Sequence, residues 1–226
     1  MIQEQIDLSL ETETIEKTLS IIELIKSGGL AGQLIIALLT FLLVVTLYIY
    51  IERLLTIKAA SNVDPNFMNE IKDCVINGNF DAAKALCVNV NSPVSRLIHK
   101  GVSRIGRPLA DINSSIENAG KLEVYSLEKN VSILATISGA APMIGFLGTV
   151  IGMIVAFHEM ASAGGNIDVE MLSKGIYTAM TTTVAGLIVG IIAFIAYNYL
   201  VSKVDKVVFM LEAKTTEFLD LLHHNE

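Results

Sequence analysis

Three long stretches of this chain contain no charged side chain, and each could cross a lipid bilayer. They run from Ser27 to Ile51, from Asn130 to Phe157 and from Gly175 to Ser202. A membrane-spanning helix needs about 20 mostly apolar residues, and only helices and closed barrels satisfy their backbone hydrogen bonds in lipid. Since strand-like alternation is lacking, the sequence predicts an all-α membrane protein with three transmembrane helices.

The composition agrees with this class. Of the 226 residues, 52% are hydrophobic and only 17% are charged, whereas soluble domains carry about 25% charged residues. The formal net charge of -7 argues against nucleic-acid binding, because the phosphate backbone attracts clustered Lys and Arg. Cys74 and Cys87 are the only cysteines, so neither a disulfide framework nor a Cys–His metal site is expected.

The distribution of Lys and Arg predicts the orientation, since cytoplasmic loops are enriched in both. Ten of the 16 lie between the first and second spans, and Lys17 and Lys26 precede the first span among six acidic residues. The N-terminus is therefore expected in the periplasm and the C-terminus in the cytoplasm. The predicted segments are a periplasmic N-terminal segment (1–26), transmembrane helix 1 (27–51), a cytoplasmic helical loop (52–129), transmembrane helix 2 (130–157), a periplasmic hairpin (158–174), transmembrane helix 3 (175–202) and a cytoplasmic C-terminal helix (203–226).

Helical periodicity extends beyond the second and third spans on their cytoplasmic sides. Apolar residues recur from Ile112 onward, which predicts a helix that runs straight into the second span. They also recur after Ser202, at Val204, Val207 and Leu211, which predicts an amphipathic continuation of the third span. Both spans are thus expected to have long helical cytoplasmic extensions.

Small residues recur at helical spacing in both of these spans. Gly145, Gly148 and Gly152 lie in the second span, and Gly186 and Gly190 lie in the third. In lipid, small residues let helix backbones approach closely, and packing then drives helix association. These glycines predict a tight helix–helix interface. In addition, Pro142 predicts a kink or a loosened turn in the second span.

Hydroxyl side chains are concentrated in the same two spans. Thr149 lies in the second span, and Thr178, Thr181, Thr182 and Thr183 lie within two turns of the third. Each hydroxyl could bond back to a carbonyl of the preceding turn, as is common in membrane helices. Alternatively, the group could form one wall of a water-filled channel, because Thr178, Thr181 and Thr182 share one helix face.

Ionisable side chains are missing from all three span cores. Since such residues are the usual proton relays in membranes, a titrating group for proton conduction would have to come from another chain. The sequence contains no recognisable nucleophile–base set, phosphate loop or metal cluster, so an enzyme is not expected.

The ordered segments "IERL", "ATISGAAPMIGFLGTVIGM" and "GIYTAMTTTVAGLIVGI" carry a family resemblance. The chain resembles the ExbB/TolQ/MotA proton-channel family from about Ile22 to Leu211, and most closely its ExbB/TolQ branch. The resemblance implies a ring-like homo-oligomer, pentameric in relatives, around a dimer of ExbD/TolR-like single-span proteins in the bacterial inner membrane. It also implies that the proton motive force energises TonB-dependent transport or a Tol-Pal-like system, with an Asp of the partner helix as the membrane carboxylate.

The resemblance assigns roles to individual threonines. Thr149 matches the threonine of the family's "LGTV" motif, and Thr183 matches the pore-lining threonine of span three. Together with Thr178 and Thr182 they form the predicted ion pathway. Many ExbB and TolQ proteins carry a glutamate where this chain has Thr178. That departure weakens the choice of H⁺ over Na⁺ as the coupling ion; no other cofactor is expected. A sodium-coupled or stator-like motor for another partner, and a passive structural scaffold, stay open as alternatives.

Overall fold

The computed structural model describes residues 29–62, 64–162 and 169–223, which form seven helices and no strand. The predicted N-terminal segment (1–26) and part of the periplasmic hairpin (163–168) lie outside these residues. The helices are α1 (Gly29–Ser61), α2 (Phe67–Ile76), α3 (Phe80–Val90), α4 (Pro93–Val102), α5 (Leu109–Glu128), α6 (Val131–Ser162) and α7 (Val169–His223).

Within the described residues, the three uncharged stretches lie on α1, α6 and α7 except for Asn130, and three helical stretches are long and apolar enough to cross a membrane. This confirms the all-α fold with three long apolar helices. The 55-residue α7 runs without a break from Val169 to His223, which confirms the predicted extension of span three. Pro142 lies inside α6, and the helix continues on both sides of it.

The helix before span two does not run straight into it, so that prediction was wrong. A turn at Lys129 and Asn130 separates α5 from α6. Lys129 leaves the helical region with ψ 132°, and Asn130 adopts a left-handed φ of 64°. Asn tolerates this conformation better than most residues, which is why the chain can turn here without a glycine or a proline.

The chain divides into two compact units. The first, which we call the seam unit, comprises the described parts of residues 1–40 and 142–187. The second, which we call the helical base, comprises residues 41–141 and the described part of 188–226.

An aliphatic and aromatic core holds the helical base together. Ile71 of α2, Ile98 of α4, Ile116 of α5 and Phe218 of α7 are each fully buried in one cluster. Removing such side chains from water stabilises a fold by about 1.5–3 kcal/mol each. Every one of these helices contributes to the same core, which extends into the predicted spans at Leu134.

Capping interactions define the ends of the short helices. Ser92 caps α4 through a reciprocal capping box with Ser95, and Pro93 occupies the first turn. The side chain of Asn79 accepts a hydrogen bond from the Ala82 amide at the start of α3. These residues satisfy amides that have no partner within the helix.

Arg96 joins three elements of the helical base. Its Nε and Nη2 atoms donate to Glu123 of α5 at 2.6 Å each, and its Nη1 atom donates to the carbonyl of Asn91 at 3.3 Å. Asn91 ends α3 in a left-handed conformation. The Glu123 carboxylate raises the pKa of Arg96 above its usual range, so the paired guanidinium stays charged.

Candidate functional site

The seam unit brings α6 and α7 into backbone contact through glycine. A Cβ atom at Gly145 would lie 2.7 Å from the Thr182 carbonyl oxygen and 3.0 Å from the Cα of Gly186. Both distances are shorter than side chains tolerate, and both partners are backbone atoms. No residue larger than glycine therefore fits at position 145 while the two helices keep this spacing.

The same contact continues along both helices. A Cβ at Gly148 would meet the Cβ of Thr182 at 2.7 Å, and one at Gly152 would meet the Cβ of Ala179 at 2.9 Å. One turn further, a Cβ at Gly175 would lie 2.5 Å from the Cβ of Ala156. We call this run of small residues the α6–α7 seam.

Thr149 and Thr183 lie opposite each other across the seam, and their hydroxyl oxygens are in direct hydrogen-bond contact. The Thr149 hydroxyl also contacts the Ala179 carbonyl at 3.0 Å, and the Thr183 hydroxyl contacts the Gly145 carbonyl at 3.2 Å. Both threonines are half-buried. Neither hydroxyl bonds back to the preceding turn of its own helix, so the pair links α6 to α7 at the rim of the seam.

Thr182 lies deeper in the same contact. Its hydroxyl donates to the Ala179 carbonyl at 2.7 Å, within α7, and reaches the Gly145 carbonyl of α6 at 3.2 Å. Only 1% of the residue is exposed. The three threonines at positions 149, 182 and 183 thus form one polar cluster around the carbonyls of Gly145 and Ala179, which we call the hydroxyl cluster.

Thr178 is not part of the hydroxyl cluster. It is buried, and its hydroxyl has no hydrogen-bond partner within the described chain. Its methyl group lies 3.6 Å from a Cβ built at Gly32, so this side of α7 packs against α1. Thr181 is half-buried and bonds back to the Tyr177 carbonyl. Thr178, Thr181 and Thr182 therefore do not form one water-facing stripe, because Thr178 faces α1 and Thr182 faces α6.

The remaining predicted packing residues differ in what surrounds them. Gly186 is buried against Gly145 in the seam, whereas Gly190 is buried in the helical base. Sequence reasoning missed Gly175, Ala179 and Gly32. The first two had a signal, since they continue the small-residue spacing of Thr182 and Gly186 toward the start of α7. Gly32 had none, because its contact depends on how α1 packs.

The chemistry of the hydroxyl cluster is limited to hydrogen bonding. A hydroxyl donates one hydrogen bond and accepts others, so paired hydroxyls can hold a water molecule or orient an approaching carboxylate. They cannot store a proton at physiological pH. Among the described residues, no group of His, Cys, Asp or Glu is arranged to hold a metal ion.

Comparison with known proteins adds a family match. Residues 89–213 match the MotA/TolQ/ExbB proton channel family. A biopolymer transport protein ExbB homolog of Methanothermobacter thermautotrophicus is 27% identical over 82% of this chain and 64% of its own length. The Tol-Pal system protein TolQ of Haemophilus influenzae is 27% identical over 91% of this chain and 94% of its own length.

A shorter but more similar match is the biopolymer transport protein ExbB of Helicobacter pylori. It is 43% identical over 35% of this chain and 54% of its own length. The chain thus spans less than two thirds of both ExbB relatives and nearly the whole of the TolQ relative.

Proposed function

This chain belongs to the MotA/TolQ/ExbB proton channel family, and we propose that it is the channel-forming subunit of an ion-driven motor in the bacterial inner membrane. Its three apolar helices and its ExbB and TolQ relatives agree with a multi-pass inner-membrane protein that is not an enzyme. The motor would be a homo-oligomer, pentameric by analogy, around a dimer of ExbD/TolR-like single-span helices. Its output would energise TonB-dependent transport or a Tol-Pal-like system.

The observation that carries this proposal is the Thr149–Thr183 hydroxyl pair across the α6–α7 seam. Threonines in membrane helices commonly bond to their own preceding turn, as Thr181 does. Thr149 and Thr183 instead face each other at a half-buried rim, where a partner helix could approach. Hydroxyls at this rim would orient the partner's carboxylate and the water that delivers its proton.

The lack of charged side chains in the spans limits what this chain can contribute to ion transport. The span residues of the described helices carry no carboxylate, lysine, arginine or histidine. The coupling ion, a proton or alternatively Na⁺, would therefore bind to a side chain of the partner helix. This chain would supply hydrogen bonds along the ion path. Thr178 would not take part, since its hydroxyl is enclosed and faces α1.

The test compares the same substitution at three threonines. Thr149→Val and Thr183→Val remove the hydroxyls of the rim pair, whereas Thr178→Val removes a hydroxyl that has no partner within the described chain. All three keep the side-chain shape nearly constant. Each variant is co-expressed with the neighbouring single-span gene product. Energised transport and proton uptake are measured in these cells, and assembly is measured on the purified complex.

We expect T149V and T183V to lose transport while the complex still assembles, and T178V to retain both. A passive scaffold predicts instead that all three variants transport normally. Repeating the assay in Na⁺-free buffer separates the two ions, because a sodium-coupled motor stops there and a proton-coupled motor does not. Native mass measurement of the purified complex counts the copies of each chain.

A further inference from the structure

A cavity at the corner between α4 and α5 concentrates positive charge in the helical base. It has a volume of about 530 Å³, and Lys100, Arg104 and Arg107 line it together with a single acid, Asp111. His99 also lines it. Ligand sites are commonly about 300–1,000 Å³ in size, so the cavity is large enough for a small organic anion.

The three cations have no acidic partner. Within the described residues, none of Lys100, Arg104 and Arg107 forms an ion pair, whereas Arg96, in the adjoining groove, is held by both oxygens of Glu123. The chain therefore pairs the cation that ties its helices together and leaves three others directed to one cavity. All three are exposed to solvent, so a dissolved anion can reach them, and their clustered positive charge attracts it.

Neutral donors line the same cavity. Ser114, Ser115 and Asn118 of α5 contribute side chains that make no hydrogen bond within the described chain. Ser103 contributes a further hydroxyl, which donates to the His99 carbonyl. Guanidinium groups bind phosphate oxygens through two parallel hydrogen bonds, and hydroxyl and amide groups complete such sites.

Lys100, Arg104 and Arg107 lie more than 20 residues along the chain from the ends of the first and second predicted spans. The positive-inside effect concerns Lys and Arg within about 15–20 residues of a span end. The 20-residue helix α5 separates Arg104 and Arg107 from the turn that precedes α6. At 1.5 Å per residue that helix is about 30 Å long, several times the screening length of about 8 Å in physiological salt. Lipid headgroups at the base of α6 are therefore too far away to be the anions that neutralise this cavity.

We propose that the α4–α5 corner cavity binds a soluble phosphate-bearing anion of nucleotide size through Lys100, Arg104 and Arg107. Three cations and one acid suit a ligand with two or three phosphate groups. The apolar part of the ligand would lie toward Ala119 and Leu122, which line the corner cavity and also an adjoining groove of about 440 Å³. None of its lining residues belongs to the hydroxyl cluster.

The test titrates the full chain, purified in detergent, with pyrophosphate and with ATP by isothermal calorimetry at low ionic strength. Arg104→Gln with Arg107→Gln should weaken binding about tenfold or more, since each lost bidentate contact to a charged group is expected to be substantial. The matched control is Lys72→Gln with Lys206→Gln, which removes two exposed cations outside the cavity. Thermal unfolding verifies that all variants are folded.

We expect the wild type and the control to bind pyrophosphate or ATP, and the binding to weaken with added salt. A double variant at Arg104 and Arg107 that binds as tightly as the control would overturn the proposal. So would a wild type that binds neither pyrophosphate nor ATP at low ionic strength. The T149V variant should bind pyrophosphate normally, which keeps this test independent of the motor assay.

Discussion

The seam unit and the helical base are held together by different forces. In the seam unit, glycine and alanine bring two helix backbones together, and the polar contacts are hydroxyl to carbonyl. In the helical base, large aliphatic and aromatic side chains fill a core, and the Arg96–Glu123 ion pair joins α4 to α5 at its surface. Close packing of small residues drives helix association in lipid, whereas burial of large apolar side chains is favoured where water surrounds the fold, as in the predicted cytoplasmic part of the helical base.

The first prediction introduces a charged side chain at a buried position of the seam unit. Thr178→Glu places a carboxylate where the native hydroxyl has no partner. An uncompensated buried charge costs about 3–5 kcal/mol, so we expect T178E to lose most of its thermal stability in detergent. T178V is the matched control and should be as stable as the wild type or slightly more so, because removing an unpaired hydroxyl costs nothing.

An active and stable T178E would contradict this packing. It would mean that position 178 faces water or a partner. The experiment thus also decides whether Thr178 belongs to the ion path.

The second prediction contrasts one glycine from each unit. Gly145→Ala pushes a methyl group against the backbone of α7, whereas Gly101→Ala in α4 pushes one against the Phe218 ring and 2.8 Å from the Cδ1 of Ile116. Overpacking of this kind costs about 1–3 kcal/mol at either site. We expect Phe218→Leu to restore part of the stability of G101A, because a side chain can be trimmed and a backbone cannot.

Gly139→Ala is the control for this pair, since a Cβ at that position meets no atom within 4 Å. It should gain up to about 1 kcal/mol from the higher helix propensity of alanine. Thermal unfolding of the purified variants measures all three effects. If trimming a side chain in α7 restored the stability of G145A equally well, side chains and not the α7 backbone would limit the space at position 145. The contrast between the two units would then fail.

The contrast between the units also explains which features the sequence could predict. The uncharged spans and the spacing of Gly145, Gly148 and Gly152 depend only on local pattern, and they indicated the helices and a small-residue face directly. Which threonine bonds across the seam depends on the rotation of α7 about its axis. That rotation follows from contacts with α1 and α6, so Thr178 and Thr183 looked alike in the sequence and have different surroundings in the fold.

The turn at Asn130 was missed for a related reason. Helical periodicity continues on both sides of it, and its only local signal is one asparagine that tolerates a left-handed φ. The start of α4, in contrast, has a local signal in Ser92 and Pro93 that needs no tertiary contact.

The third prediction measures an ion pair of the helical base. In a double-mutant cycle of Arg96→Ala and Glu123→Ala, we expect a coupling of about 0.5–1 kcal/mol, since Arg96 is partly exposed and water screens it. The coupling should fall as salt is added. Lys121 and Glu117 form an exposed pair on the same helix and serve as the control. Their coupling should be too small to detect, and a coupling as large as that of Arg96 would show that burial and bidentate geometry are unimportant here.

The last prediction uses two cysteines to test whether the core of the helical base is closed. Burial raises the pKa of the Cys87 thiol to about 11, so the reactive thiolate is scarce near neutral pH. Cys74 is only partly buried. At pH 8 we expect iodoacetamide to label the folded chain at Cys74 alone, and a Cys74→Ser variant to stay unlabelled until it unfolds. Because the folded state holds the Cys87 proton more tightly than the unfolded state, stability should also fall as the pH rises from the ordinary thiol pKa toward about 11. Rapid labelling of Cys87 at pH 8 would mean that water enters this core, and the difference between the two units would then be one of composition and not of packing.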